Sequence, residues 1–307
     1  MLNKILLVTI LGVFAGLLPA GAQTDSTAPA TSPTAKGHII AARVQGHVEA
    51  VSKVDGKTTV LHDGDGVTDQ STIMTSPGAS IILVFSNGAT VNVAADSNLD
   101  IDQFDQDPFA ADVKVSDLKA EPGRSITKLN LTRGELVGKV VHLNVDRGSE
   151  FTVQTPVGAA GIRGTTFRIV FRPDPKTGKA FFAVTTADGR VIFTGVTSGP
   201  VSIPAGKQVV ATFDYTPPSS PGGTTAPPTT TVPVTTSDTS PSEESQITTI
   251  VQAFAGANTT VTFPSTPAGG GNGTGTGTGT GTGSNPDNTP SPPAQPAPAT
   301  TSGAGTG

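Results

Sequence analysis

The strongest constraint on the fold is the way turn dipeptides punctuate the sequence between residues 38 and 215. Short runs rich in Val, Ile, Thr and Phe alternate there with single glycines and with Asn-Gly, Asp-Gly and Pro-Gly, and no long segment of helical period interrupts them. Runs of about four to eight such residues are typical of β-strands. Asn87-Gly88 and Asp188-Gly189 favour two-residue hairpins because their backbones adopt positive φ at low cost. The pattern predicts an all-β domain built as a sandwich, roll or barrel.

The two ends of this region resemble each other. Gly46-His47-Val48 leads to an apolar-x-x-Gly turn at Leu61–Gly64, and Gly189-Arg190-Val191 leads to a similar turn at Ile203–Gly206. These repeats are too few and too irregular for a solenoid. They favour a two-sheet arrangement.

Composition separates the end of the chain from the β domain. All 19 lysines and arginines lie at or before Lys207, whereas residues 216–307 carry four acids, no base and many prolines. Such a segment buries too little apolar surface to offset its chain entropy, so we expect most of it to be disordered. We divide it into a Pro/Thr-rich linker (216–239), a helix candidate (240–256) and a low-complexity tail (257–307).

The first residues have the pattern of a secretory signal peptide. An apolar run follows Lys4, and Ala20-Gly21-Ala22 supplies the small residues of a cleavage site before Gln23. We therefore predict a signal peptide over 1–22 and a spacer over 23–37; the alternative is a single membrane anchor, for which the run is short. Export would place the chain in the periplasm, at the cell surface or in the medium, with no membrane span after cleavage. The chain has no cysteine, so its fold has no disulfide framework.

Motifs in one consistent order give the domain a family resemblance. The order runs through Leu83-x-Phe85-x-Asn87-Gly88 and Leu131-x-x-Gly134-Glu135-Leu136, and its most specific block is Thr155-Pro156 followed by Arg163-Gly164-Thr165-x-Phe167. In these residues the chain resembles the FecR family of bacterial envelope proteins over about residues 38–212.

The resemblance implies a single jelly-roll-like sandwich or β-roll outside the cytoplasm, in which Thr155, Pro156, Arg163, Gly164, Thr165 and Phe167 have structural roles. The best-known members are transmembrane regulators of siderophore signalling that act on a sigma factor. This sequence shows neither their cytosolic segment nor an internal transmembrane helix, so we carry over the extracytoplasmic domain and not the signalling role.

Candidate chemical sites are weak. No serine-hydrolase elbow, phosphate loop or zinc-binding histidine spacing is present, so we predict no catalytic residues, no cofactor and no enzyme. Arg163 lies among small residues, where it is expected to clamp backbone carbonyls; a ligand-reading role is the alternative. The densest acidic cluster is a weak calcium candidate that we interpret as a solvated loop, since it lacks the EF-hand glycine: Asp96, Asp100, Asp102 and Asp105.

One segment of the tail has the signature of a helix. Ser240-Pro241-Ser242-Glu243 forms a capping box with proline at the first helical position, and Gly256 stands where a C-cap is expected. Four apolar residues then share one face at helical spacing: Ile247, Ile250, Val251 and Phe254. We predict that they dock on the β domain or on a partner; a transient helix in a linker is the alternative.

These features favour an exported, non-enzymatic FecR-domain protein that binds an unidentified protein or envelope glycan. The alternative is a structural or adhesive envelope component whose tail threads the cell wall or matrix. A formal charge of −5 with scattered bases argues against nucleic acid as a partner.

Overall fold

The computed structural model describes residues 35–109, 111–195, 199–216 and 235–265, all within the unit Met1–Ala268. The predicted signal peptide and most of the predicted spacer, linker and tail lie outside these residues.

The described elements are mainly strands. Those of the first half are β1 (Ala35–Lys36), β2 (Ile39–Gln45), β3 (Val48–Ser52), β4 (Thr58–Val60), β5 (Gly66–Val67), β6 (Ser71–Thr75), β7 (Ser80–Phe85), β8 (Thr90–Val93), β9 (Asn98–Gln106) and β10 (Val113–Lys114). Those that follow are β11 (Ser125–Lys139), β12 (Glu150–Thr155), β13 (Gly158–Ile162), β14 (Thr166–Asp174), β15 (Lys179–Asp188), β16 (Arg190–Gly195), β17 (Val201–Pro204), β18 (Lys207–Asp214), β19 (Thr236–Asp238) and β20 (Thr262–Phe263). The helical elements are 3₁₀ turns at Val115–Asp117 and Val145–Arg147, and helix α1 (Pro241–Thr260). The all-β prediction is confirmed.

Strand pairing produces two large sheets and a two-stranded sheet, β10-β20. Sheet I has the order β4-β3-β6-β9-β11-β12-β13-β16-β17, with β1 also beside β9. Sheet II has the order β5-β2-β7-β8-β11-β14-β15-β18-β19. Among the described strand pairs, β11–β12 is parallel and the others are antiparallel.

Strand β11 belongs to both sheets. Its first part pairs with β9 and β12 in sheet I, and its last part, from Gly134 onward, pairs with β8 and β14 in sheet II. Gly134 has φ +102° at this crossing, and a Cβ atom placed on it would lie 2.5 Å from the Cα of Ser97. Only glycine fits both the backbone conformation and the close approach of the neighbouring chain.

The core lies between the sheets and is rich in phenylalanine. Alternate residues of each strand point inward, as in β15, where Phe182 is buried while Phe181 is exposed. Several rings meet edge to face, including Phe85 with Phe104 at a centroid distance of 5.2 Å. This packing accounts for a fold without disulfides.

The sequence resemblance between the two ends has a structural counterpart. At Gly46 the chain passes from β2 in sheet II to β3 in sheet I, and at Gly189 it passes from β15 in sheet II to β16 in sheet I. Both glycines have positive φ and both lie against a second crossing: Gly46 against Ala79, and Gly189 against Gly164. The repeat therefore marks two corners at which neighbouring strands change sheet together.

Helix α1 begins as predicted and ends later. The Ser240 side chain accepts from the Glu243 amide, and Glu243 reaches back to the Ser240 amide, which completes the capping box. The helix continues to Thr260, four residues beyond the predicted end. The predicted C-cap at Gly256 is wrong, because this residue lies inside the helix, where the Arg43 guanidinium packs against it.

Ordered structure also extends into segments predicted as linker and tail. Strand β19 pairs with β18, and β20, directly after the helix, pairs with β10. The segment between β9 and β11 contributes buried residues to the apolar cluster that contains the buried residues of α1: Phe109, Val113 and Val115.

The helix lies across the strands of sheet II. One row of outward-facing residues runs from β2 to β18 through successive cross-strand pairs: Ala42, Ile82, Asn92, Val137, Arg168, Thr185 and Gln208. Its six strand spacings span about 29 Å, and the 20 residues of α1 span about 30 Å. Two contacts place α1 along this row: Gly256 meets Arg43, next to Ala42 on β2, and Glu243 meets Arg168 on β14.

Candidate functional site

The docking candidates of α1 face sheet II. Ile247 and Phe254 are buried, and Ile250 and Val251 are partly buried. They belong to a second apolar cluster, outside the main core, whose sheet members are Ala42, Ile82, Val84 and Val137. The helix extends the stripe with Ala257, and the chain after it adds Val261 and Phe263. The helix therefore covers one part of the outer face of sheet II.

An ionic network joins the helix to the sheet. Glu135 on β11 is nearly buried and accepts from Arg168 Nε at 2.7 Å, from Arg168 Nη2 at 3.0 Å and from Arg172 Nη2 at 2.6 Å. Arg168 Nη1 also lies 3.3 Å from Glu243 Oε1 in the first turn of α1. Bidentate contact with a carboxylate is the geometry for which the guanidinium is suited. Neither Glu135 nor Arg168 was predicted as a site residue, although charged side chains on otherwise apolar strands mark outward positions.

A second acidic residue missed from the sequence is Glu121. Its carboxylate is buried and accepts from Ser125 Oγ at 2.6 Å, from the Asn144 amide at 2.6 Å and from Ser149 Oγ. Asn87, of the Asn-Gly turn, donates to Ser125 Oγ at 3.0 Å and so joins the β7–β8 turn to the same network. These donors satisfy the carboxylate, and the arrangement is that of a structural tie between loops.

The calcium candidates do not converge on one point. Lys53 Nζ lies 3.1 Å from Asp100 and 2.8 Å from Asp102, while Lys36 Nζ lies 2.8 Å from Asp105. Asp96 occupies the turn before β9, with φ +55°. Lysines thus occupy the positions that a cation would take beside three of the four carboxylates. Within the described ranges, no group of three His, Asp or Glu side chains has the geometry to hold a metal ion.

The lysine pairs shift the pKa of the groups involved. Partial burial acts to raise the pKa of Asp105, but hydrogen bonds from Lys36 and Gln103 outweigh it and hold that pKa below its usual value. The pKa of Lys36 is raised, first by its hydrogen bond to Asp105 and then by its bond to Asp69. These are surface ion pairs that fix the chain before β2 against β9.

The family-motif residues have structural positions. Thr155 Oγ1 donates to the Gly158 carbonyl at 2.9 Å across the β12–β13 turn, in which Pro156 also lies. Gly164, with φ +68°, forms the corner between β13 and β14. After this corner Thr165 and Phe167 are buried.

The carbonyl clamp expected of Arg163 is wrong. Its side chain is exposed, and among the described residues it makes no hydrogen bond and no ion pair. The corner is instead shaped by Gly164 and the neighbouring Gly189. The small residues around Arg163 serve the turn and do not form a site for its guanidinium.

Two grooves flank α1 on sheet II. One, of about 390 Å³, lies beside the middle of the helix and is mostly apolar; its lining includes Ala187, Ile247 and Val251. The other, of about 580 Å³, lies beside the C-terminal half, where Arg43 and Asp63 contribute polar groups. The helix thus leaves open space on both of its sides.

The same outer face carries an exposed apolar patch beyond the helix. Phe181 on β15 is 38% exposed and Val210 on β18 is 43% exposed. Cross-strand pairs join Phe181 to Thr212 and Ala183 to Val210, which makes Phe181 and Val210 diagonal neighbours. Arg172 lies directly opposite Phe181 on β14. We call these three residues the β15–β18 patch.

Helix α1 lacks the apolar length that a bilayer crossing requires, and the same holds for every other helix in the described part of the chain.

Comparison with known proteins places the domain in a family. Residues 71–192, from the start of β6 into β16, match the model of the FecR protein family. Two crystal structures described as a "putative anti-sigma factor" from Parabacteroides distasonis ATCC 8503 are similar at 13% identity, with TM-scores of 0.32 and 0.33. Each similarity covers 47% of this chain and 59% of the other, so the chain spans under two thirds of those proteins. None of the curated proteins matches the sequence. Residues 71–192 are therefore a FecR domain, the family that the Arg-Gly-Thr-x-Phe block within them indicates.

Proposed function

We propose that the chain is an exported, non-catalytic binding module of the regulatory type, which engages a protein partner outside the cytoplasm. The observation that carries the proposal is the β15–β18 patch. Two large apolar side chains stand side by side on a sheet face, next to an arginine whose side chain is 57% exposed. Apolar residues with a neighbouring arginine are characteristic of protein interfaces.

The patch favours a protein over a glycan. Sugar binding by stacking relies on exposed aromatic faces, and the chain has no tryptophan and a single tyrosine, Tyr215, which is buried. Phe181 is the one exposed large aromatic side chain within the described residues. Export rests on the leader-like residues 1–22, and the regulatory class rests on the FecR domain.

The test is photo-crosslinking from the patch. A photoreactive residue at position 181 of the full chain should trap one protein in intact cells, whereas the same residue at position 54 should not. Val54 is a matched control because it is also apolar and is 83% exposed, in the turn after β3 on the other sheet. Val210→Asp should then reduce the yield from position 181 at least about tenfold, since a buried charge opposes an apolar interface.

Two results would overturn the proposal. One is equal trapping from positions 54 and 181, which would mean random encounter. The other is an unprocessed Met1 terminus on protein recovered with the cytoplasm, which would remove the extracytoplasmic setting. Processed protein should instead begin at Gln23 in the exported fraction.

A further inference from the structure

Several buried polar side chains near the start of α1 on sheet II have no hydrogen-bond partner among the described residues. Thr185 Oγ1 and Gln208 Oε1, in the two row positions that follow Arg168, are buried, and no protein group among the described residues hydrogen-bonds to them. Thr239 Oγ1, one residue before the N-cap, is buried in the same condition. Buried polar groups without partners weaken the docked arrangement relative to one that returns them to water or pairs them.

The stability of α1 also depends on its packing against sheet II. Thr248, Thr249 and Gly256 lower its intrinsic helicity, so its stability depends on packing against a surface. The open grooves on its two sides show that the outer face of sheet II is wider than α1 fills.

From these observations we propose that α1 is a placeholder: the partner engaged at the β15–β18 patch presents an amphipathic helix that takes the place of α1 on sheet II. The inference rests on the proposed function and identifies the chemistry of its partner. The patch is the part of the receiving face that α1 leaves uncovered, so a partner first contacts Phe181 and Val210 and then competes for the row that leads to Ala42.

The contacts of α1 define what the incoming helix must offer. Its apolar residues repeat at i, i+3, i+4 and i+7, to meet Ile82, Val84 and Val137. It carries a carboxylate in the first turn, because Arg168 directs Nη1 to that position while its Nε and Nη2 donate to Glu135. A partner that also hydrogen-bonds Thr185 or Gln208 gains contacts that α1 does not make.

The test uses a labelled peptide of residues 239–264 as the stand-in helix and the full chain as the receiver. Phe254→Asp in the full chain removes the central apolar contact of α1 and frees the face. We expect the peptide to bind this variant at least about tenfold more tightly than the unaltered chain, in which α1 competes. On the Phe254→Asp receiver, a Glu243→Gln peptide should bind about threefold more weakly, and a Glu244→Gln peptide should bind unchanged.

Each outcome decides whether another helix can replace α1 on sheet II. Equal binding of the peptide to both receivers, or no binding to either while amide exchange shows the sheets intact, overturns the exchange. Trapping from position 181 is read separately: if it persists when peptide exchange fails, the protein partner stands and the placeholder role falls. If trapping fails as well, the proposed function falls with it.

Discussion

Arg168 Nη1 lies 3.3 Å from the Glu243 carboxylate, while Nε and Nη2 of the same guanidinium donate to Glu135. One side chain therefore connects a strand of sheet II, a neighbouring strand and the first turn of α1. Glu243 has two roles at this point, since it also closes the capping box on Ser240. The start of the helix and its attachment to the sheet are for this reason fixed by the same residue.

Glu243→Gln should loosen the docked helix without removing its cap. Glutamine still satisfies the capping box but loses the charge that faces Arg168, so the free energy of docking should fall by about 0.5–1 kcal/mol. Amide exchange across residues 246–255 measures the change. Glu244→Gln is the matched control, because Glu244 is exposed and has no contact with Arg168. Equal acceleration in both variants would refute the contact.

Glu135→Ala should destabilise the whole domain. Arg168, itself mostly buried, would lose its bidentate partner, and removal of one member of such a pair costs about 3–5 kcal/mol. Denaturant unfolding gives the value, with the exposed Glu150→Ala as control and an expected change within about 0.5 kcal/mol. A cost below about 1 kcal/mol for Glu135→Ala would show that the network does not stabilise the fold.

Gly134→Ala and Gly206→Ala should differ in cost although both positions have positive φ. At Gly206 no atom lies near the added methyl group, so backbone strain alone applies, at about 1–2 kcal/mol. At Gly134 the methyl group would also collide with Ser97, which raises the cost to about 3 kcal/mol or more. Equal losses in thermal or denaturant unfolding would mean that β11 does not need the close approach at its crossing.

Lys36→Met should change the acid stability of the domain. Because the folded-state pKa of Asp105 is lowered, its ionised form contributes stability above pH about 4, and this contribution is lost as the pH falls through the folded pKa. Without Lys36 the contribution shrinks, so the variant should be less stable near neutral pH and should lose less stability on acidification. Parallel curves of unfolding free energy against pH for the two proteins would contradict this reading.

The sequence predicted local structure well and long-range contacts poorly. The strands, the turn glycines and the start of α1 at Ser240 follow from patterns within a few residues of each other. The end of α1 did not, because Gly256 resembles a C-cap and its actual neighbour, Arg43, lies far away in the sequence. The same distance hides the lysine partners of Asp100 and Asp105 and the hydrogen bonds that Glu121 accepts from Asn144 and Ser149.

The sequence likewise predicted which residues of a strand share a face, but not which face is exposed. Alternation along β15 indicates that Phe181 and Phe182 face opposite ways, but it does not indicate which side is covered. That depends on where α1 lies: its contacts run from Arg43 on β2 to Arg168 on β14, and Phe181 stays exposed beyond them. The β15–β18 patch thus emerges from the pairing of whole strands and not from any motif.

Strand β11 has a consequence for how the domain can be assembled or divided. Its 15 residues form a central strand in each sheet. Neither sheet therefore has its full set of strand pairs until β11 is in place. Two fragments produced by a cut within β11 would each carry part of both sheets and no complete one. The domain should consequently resist splitting into complementing halves. A single break at Gly134 would leave each of the two large sheets divided between two chains.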